Sequence, residues 1–301
     1  MNSPRRQFLQ SAAGLVALNA TAPAASPMLP TVKLGKHQVT RLIIGANPIY
    51  GFSHFNRILD QIMQEWYTPE RVCEVLRRCE QNGINTWQFS YRERGFSDLK
   101  RYRDEGGKIQ WVLLSGRDLE NDLSLIPKVA ALGPIGIVHH GGTTDARFRA
   151  GEHAKIREFL KRVRDAGVMV GMSTHNPQNL ERVESEGWDI DFYMTCCYHL
   201  TRTQEEVRKI TTELPLPAGE AYLEGDPARM LRVVRQVKKT CLAFKILAAG
   251  RRIQTPQQVD QAFRFAFDNI KPQDAVIVGM FPRIKDEVTE NADRVRRMLA
   301  V

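Results

Sequence analysis

Gly136-Ile137-Val138-His139-His140-Gly141-Gly142 decides the reading of the fold. An apolar, β-branched run stops abruptly at two histidines, and two glycines follow. A short continuous apolar run bounded by turn residues is the pattern of a strand buried on both faces, as in a parallel sheet. The histidines then stand at the strand's C-terminal end. In a closed barrel of parallel strands, that is the end where chemistry is done.

Working outward, the same pattern recurs at residues 42–45, 85–89, 110–114, 168–172, 192–194, 242–246 and 275–278, which with 136–139 makes eight strands. Between them lie helical stretches whose starts carry a capping residue followed by proline: Thr68-Pro69, Asn176-Pro177, Asp226-Pro227 and Thr255-Pro256. The capping side chain satisfies an orphan amide, and proline at the first helical position loses nothing because its missing N–H had no partner. Apolar residues repeat with the helical period at Val72, Val75, Leu76 and Cys79, at Ile156, Phe159, Leu160 and Val163, at Met230, Val233, Val234 and Val237, and at Val288, Ala292, Val295 and Leu299. Such stripes are contacts against a sheet. Alternating strands and helices predict one (β/α)8 TIM barrel. An open doubly wound sheet is the other candidate, but no G-x-G-x-x-G loop follows the first strand. Ahead of the barrel, residues 31–34 and 39–40 flank Gly35-Lys36-His37-Gln38 and read as an N-terminal β-hairpin.

Residues 1–25 read as a segment apart from the barrel of 26–301. Arg5-Arg6 precede Phe8-Leu9, a weakly apolar tract without charge follows, and Ala22-Pro23-Ala24 supplies small residues for cleavage. This resembles a twin-arginine signal peptide, which implies the twin-arginine export machinery as a partner and a periplasmic protein. No stretch is long and apolar enough for a membrane anchor. Setting Arg5 and Arg6 aside lowers the formal charge from +9 to +7, and the remaining basic residues are scattered, which argues against nucleic acid as a partner. Cys73, Cys79, Cys196, Cys197 and Cys241 are too irregularly placed for a disulfide framework.

Several local sequences, taken in order, resemble the aldo-keto reductases. Val32-Lys33-Leu34-Gly35-Lys36 with Val39-Thr40-Arg41-Leu42 is similar to that family's opening hairpin, Gly83-Ile84-Asn85-Thr86-Trp87 to its second strand, Val170-Gly171-Met172-Ser173 to its fifth, and Val278-Gly279 with Glu290-Asn291 to its eighth strand and last helix. The resemblance implies an oxidoreductase acting on a small polar, sugar-like carbonyl or alcohol with NADP(H). It also implies cofactor contacts from Ser173, Asn176, Phe244, Arg283 and Asn291. Of the family's catalytic Asp, Tyr, Lys and His, only the last is matched, by His139. Gln88 stands at the Asp position, Ser115 at the Lys position, and Tyr91 lies close enough to be a displaced Tyr. A tyrosine without such neighbours is a poor proton donor near neutral pH.

The strand ends hold a stock of polar groups: Asn47, Gln88, Tyr91, Ser115, Arg117, His139, His140, His175, Asn176, Cys196, Cys197, His199, Glu220 and Lys245, with His54 nearby. His139, Tyr91 and Lys245 are the expected catalytic groups, and Asn47, Gln88, His140 and Glu220 the expected substrate contacts. Imidazole and thiolate together also suit zinc, copper or iron, so His139, His140, His175, Cys196 and His199 are an alternative metal set for a lyase, isomerase or oxidase. Lys245 is read either as a base or Schiff-base nucleophile or as the partner of Glu220 or a neighbouring carboxylate. A barrel that only binds a small-molecule ligand is the remaining reading.

Overall fold

Eight parallel strands close into a barrel in the computed structural model, which describes residues 29–211 and 219–299. The export signal read at residues 1–25 lies outside the described residues. A hairpin, β1 (Thr31–Leu34) and β2 (His37–Thr40), precedes the barrel and turns at Gly35-Lys36, where Gly35 takes a φ of +59°. The barrel strands are β3 (Leu42–Gly45), β4 (Thr86–Ser90), β5 (Gln110–Leu114), β6 (Gly136–His139), β7 (Met169–Thr174), β8 (Phe192–Cys196), β9 (Thr240–Phe244) and β10 (Ala275–Gly279). Each pairs in parallel with its neighbour, and β10 closes on β3 through Val276–Leu42 to Gly279–Gly45. This is a (β/α)8 TIM barrel.

Both faces of each strand are covered, which is why the strands read as continuous apolar runs. Ile43, Val112, Val138, Phe192, Met194, Leu242 and Ile277 pack inside, above Val32, Leu34 and Val39 of the hairpin. Ile44, Trp87, Trp111, Ile137, Val170, Tyr193, Cys241 and Val276 pack outward against the helices. The interior is tight around Phe192: a Cβ on Gly171 would sit 2.7 Å from its ring, and one on Gly136 would lie 2.9 Å away.

The helical stripes face the sheet as their period requires, and Cys73 and Cys79 are buried among them as free thiols. Thr68, Asn176 and Thr255 accept from amides of the first turn, as expected of caps. Asp226 does not. It lies inside the helix Asp226–Gln236, whose N-cap is Gly225, and its carboxylate instead takes a bidentate Arg202 and the His199 amide. The seventh barrel strand also differs from the reading of 242–246. It begins at Thr240 and ends at Phe244, because Lys245 turns into the left-handed region at φ +61°.

Candidate active site

His139 and His140 face opposite ways. His139 has the parity of Ile137, in the layer between sheet and helices, where it is fully buried and edge-on to Phe159 with centroids 4.9 Å apart. Thr144 gives its proton to the His140 carbonyl at 3.0 Å, so His139 Nδ1–H donates to Thr144 Oγ1 at 2.7 Å. Nε2 has no hydrogen bond and lies 4.0 Å from Glu120. Burial, with the charges of Arg147 and His140, pulls its pKa down to about 3. The expectation that His139 would be the catalytic or metal-binding histidine is therefore corrected: strand parity turns it away from the barrel mouth, and it stays neutral.

His140 has the inward parity of Val138 and caps the helix Gly141–Arg149. Its Nδ1 accepts from the Gly142 amide at 3.2 Å, which puts the ring proton on Nε2. Its own amide is held by Ser115 Oγ at 2.8 Å, and Ser115 in turn donates to the buried Glu120 at 2.6 Å. Burial lowers its pKa, with the charges of His175 and Lys245 adding to the effect against Glu120. His140 is thus a neutral donor at the mouth.

His175 follows β7 and is oriented by Asp145, a residue that the sequence reading passed over. Asp145 Oδ2 accepts from the His175 amide at 2.9 Å, from His175 Nδ1 at 3.1 Å and from Thr201 Oγ1 at 2.9 Å; Oδ1 takes Thr174 Oγ1 and Asn179 Nδ2. Burial pushes this carboxyl's pKa up, but the His175 bond and charge and the Thr174 and amide bonds outweigh it, so the net shift is downward. The aspartate is ionised and fixes His175 with Nδ1–H toward it, leaving Nε2 as the free basic nitrogen. One signal was available: Asp145 is the only acidic residue between Asp122 and Glu152.

Lys245 stands among these groups. Its charge acts on His140, Cys196 and Glu220, yet among the described residues its ammonium makes no hydrogen bond or ion pair. The reading that paired it with Glu220 does not hold. Glu220 gives its carboxylate to His54 Nδ1 and the Tyr222 hydroxyl, each at 2.9 Å, and these bonds with the Lys245 charge outweigh burial to hold its pKa at about 2. His54, itself at φ +54°, receives Asn47 Nδ2 at 3.2 Å on its other nitrogen. A non-glycine residue at positive φ persists only when its surroundings demand it, and such positions gather at functional sites.

The remaining expected residues divide. Gln88 lies on the inward face of β4, between outward Trp87 and Phe89, and Phe244 stands edge-on to His175 at 5.9 Å. Ser173 Oγ is fully buried without a hydrogen-bond partner and would lie 2.8 Å from a Cβ on Gly141. Asn176 caps the helix Pro177–Ser185, Asn291 accepts from Arg294 at 3.1 Å, and Arg283 is exposed. Tyr91 packs edge-on to Phe96, and burial with the charges of Asp118, Glu93 and Asp122 raises its pKa, which makes it a weaker acid than a free tyrosine. The metal set is corrected as a whole. Among the described residues no three His, Cys, Asp or Glu side chains group to hold an ion. His139 faces away into the layer between sheet and helices, and burial pushes the Cys196 thiol up to about 12. A thiol that high is a poor ligand.

No family model matches the chain, and no curated protein matches its sequence. Solved structures do resemble it: a truncated 3-deoxy-D-arabino-heptulosonate 7-phosphate synthase from Thermotoga maritima has a TM-score of 0.50 at 14% identity, covering 90% of this chain and 91% of that one. The apo form of Gox0644 gives 0.51 at 12%, covering 90% and 93%, and the glycerol dehydrogenase AKR11B4 from Gluconobacter oxydans, an aldo-keto reductase, 0.48 at 12%, covering 90% and 96%. The first two likenesses show the fold alone, so activity has to be argued from the side chains at the mouth. Among the described residues no helix is long and apolar enough to cross a membrane.

Proposed function

We propose that the barrel is an enzyme that moves a proton on the carbon beside the carbonyl of a small, polar, sugar-like substrate, with its own side chains as base and electrophile. The observation that carries this reading is the Asp145–His175 pair, with its free Nε2, in a mouth that also holds the neutral donor His140 and the unpaired Lys245. His175 Nε2 takes the proton. The C–H electron pair becomes a C=C bond, and the carbonyl π pair moves onto oxygen as an enolate. The Lys245 ammonium and His140 Nε2–H hold that oxyanion, and Asp145 stabilises the imidazolium. Where the α-carbon carries a hydroxyl, that hydroxyl's proton passes to the enolate oxygen and its O–H pair becomes the new C=O bond. The C=C pair takes the proton back from the imidazolium at the former carbonyl carbon, completing an isomerisation. Preorganised donors of this kind do their work without reorganising at the moment of reaction, and a neutral imidazole at a helix N-terminus is suited to polarising a carbonyl.

A planar hydroxamate that mimics an enediolate tests the reading. Calorimetry is expected to show it binding more tightly than the corresponding hydroxy-carbonyl compound, by a margin that shrinks in Lys245→Met and His140→Gln. Equal affinity for mimic and parent compound, or no binding of either, would count against the proposal.

A second reading, reduction with NADP(H), has specific support in two residues: the unpartnered Ser173 hydroxyl and the Phe244 ring occupy strands where the resemblance places nicotinamide contacts. A resident cofactor would supply hydride transfer. The side-chain oxygens of Asn176 and Asn291 are engaged within the protein and Arg283 stays exposed, and nucleotide release on denaturing the purified protein decides the matter. Arg5-Arg6 and the tract after them support export to the periplasm by the twin-arginine route, tested by fractionation of cells carrying Arg5→Lys with Arg6→Lys.

A further inference from the structure

A second cation stands at the same end of the barrel without a counter-ion. Arg92 follows β4 by two residues, and its guanidinium carbon lies 4.6 Å from the ring centroids of both Tyr50 and Phe52. Tyr50 belongs to the turn Pro48–Tyr50 that follows β3, the strand paired with β4. The three side chains therefore meet at the C-terminal rim, on the face of the barrel that carries His140, His175 and Lys245.

Three other arginines of this protein spend their donors on oxygens. Arg94 gives to the Tyr67 carbonyl and lies 3.6 Å from Asp98, Arg202 grips Asp226, and Arg294 bonds Asp260 at 2.7 Å. Arg92 does none of this. Among the described residues its guanidinium makes no hydrogen bond or ion pair, and its Nε is buried without a partner. The carboxylate of the same cluster, Asp98, is taken by the Tyr50 hydroxyl at 3.2 Å and by Arg94. Burial lowers the pKa of Arg92, opposed by Tyr50 and reinforced by the Arg94 charge; no carboxylate weighs on it. A guanidinium remains charged under any such shift. A half-buried guanidinium between two rings, with one donor buried and unmatched and no counter-ion, is costly to keep unless something completes it.

We propose that Arg92 anchors an oxyanion carried by the substrate, a phosphate or a carboxylate, with the guanidinium fork taking two of its oxygens while Tyr50 and Phe52 hold the fork in plane. Planar, bidentate recognition is what distinguishes arginine from a point charge. The inference rests on reading the mouth as a substrate site, and it narrows the substrate to an anionic polar carbonyl compound. Its test measures anion binding without turnover, so it fails or succeeds separately from the proton chemistry.

The full chain is titrated by calorimetry with inorganic phosphate and, separately, with malonate at constant ionic strength. At least one anion is expected to bind saturably. Arg92→Met is expected to weaken that binding by at least about tenfold; whichever anion binds more tightly identifies the group. Where Arg92→Met fails to fold, wild-type protein is labelled with phenylglyoxal and mapped by mass spectrometry. The binding anion is then expected to protect Arg92 with the calorimetric midpoint. Binding that survives Arg92→Met unchanged, anion that leaves Arg92 unprotected, or no saturable binding of either anion overturns the proposal.

Discussion

Replacing Asp145 by asparagine probes the pair at the centre of the site with the least change of shape. The aspartate accepts five hydrogen bonds, three on Oδ2 and two on Oδ1. An amide must put its NH2 on one side. The Oδ2 side cannot take it, because the His175 backbone N–H has no other face to offer. On the Oδ1 side Thr174 can rotate its hydroxyl and Asn179 can flip its amide, so the asparagine oxygen stays on His175 and Thr201. The tautomer of His175 is then kept, and what is lost is the negative charge behind it. A charge-assisted hydrogen bond contributes about 1.5–3 kcal/mol, so Asp145→Asn is expected to lower stability in urea by about that amount and to slow proton transfer roughly 10- to 150-fold. The pH dependence has a definite sign. The folded-state pKa of Asp145 is depressed, so its stabilisation is present above the unfolded value of 3.8 and lost as pH falls below that through the folded value. The acid limb of stability against pH should therefore flatten in the variant. A urea midpoint within experimental error of wild type at pH 7, or an unchanged acid limb, would refute the reasoning.

Other expectations follow from the same geometry. His139 is buried neutral with its pKa near 3, against 6.5 unfolded, so its stabilising contribution is intact above pH 6.5 and is lost as pH falls toward 3; at about 1.36 kcal/mol per unit this is on the order of 5 kcal/mol. Urea melts of wild type and a folded His139→Gln variant should diverge most above pH 6.5 and converge in acid. Lys245→Gly should relieve the left-handed backbone and raise stability by about 0.5–1 kcal/mol while abolishing catalysis, which a thermal melt and an activity assay would show together. Gly171→Ala drives a methyl into Phe192 and Val138, each 2.7 Å away, and should cost about 1–3 kcal/mol in a denaturant melt without moving any mouth residue.

The barrel was legible because each of its signals is local. Apolar runs such as Gln110–Leu114 and Gly136–His139 end where their ladders end, and Thr68, Asn176 and Thr255 cap the helices their sequences announce. The site was legible only in outline. Adjacent His139 and His140 must face opposite sides, but with both faces of the strand apolar nothing in the sequence says which points in. The apolar run through Ile246 hides the left-handed turn at Lys245, because alternation carries no φ. Asp145 and Asp226 look like ordinary helix residues; their roles come from Thr174, His175, Asn179 and Thr201 in one case and Arg202 in the other, partners that only the closed barrel brings near.

The central claim is that His175, backed by Asp145, moves a proton beside a carbonyl. Small hydroxyaldehydes and hydroxyketones, with and without a phosphate or carboxylate, are incubated with the protein in heavy water, and deuterium at the carbon next to the carbonyl is followed by proton NMR. The account predicts exchange with at least one of them, slowed by about a hundredfold or more in His175→Gln and less in Asp145→Asn. No exchange above the rate without protein, or exchange that His175→Gln leaves untouched, would contradict it.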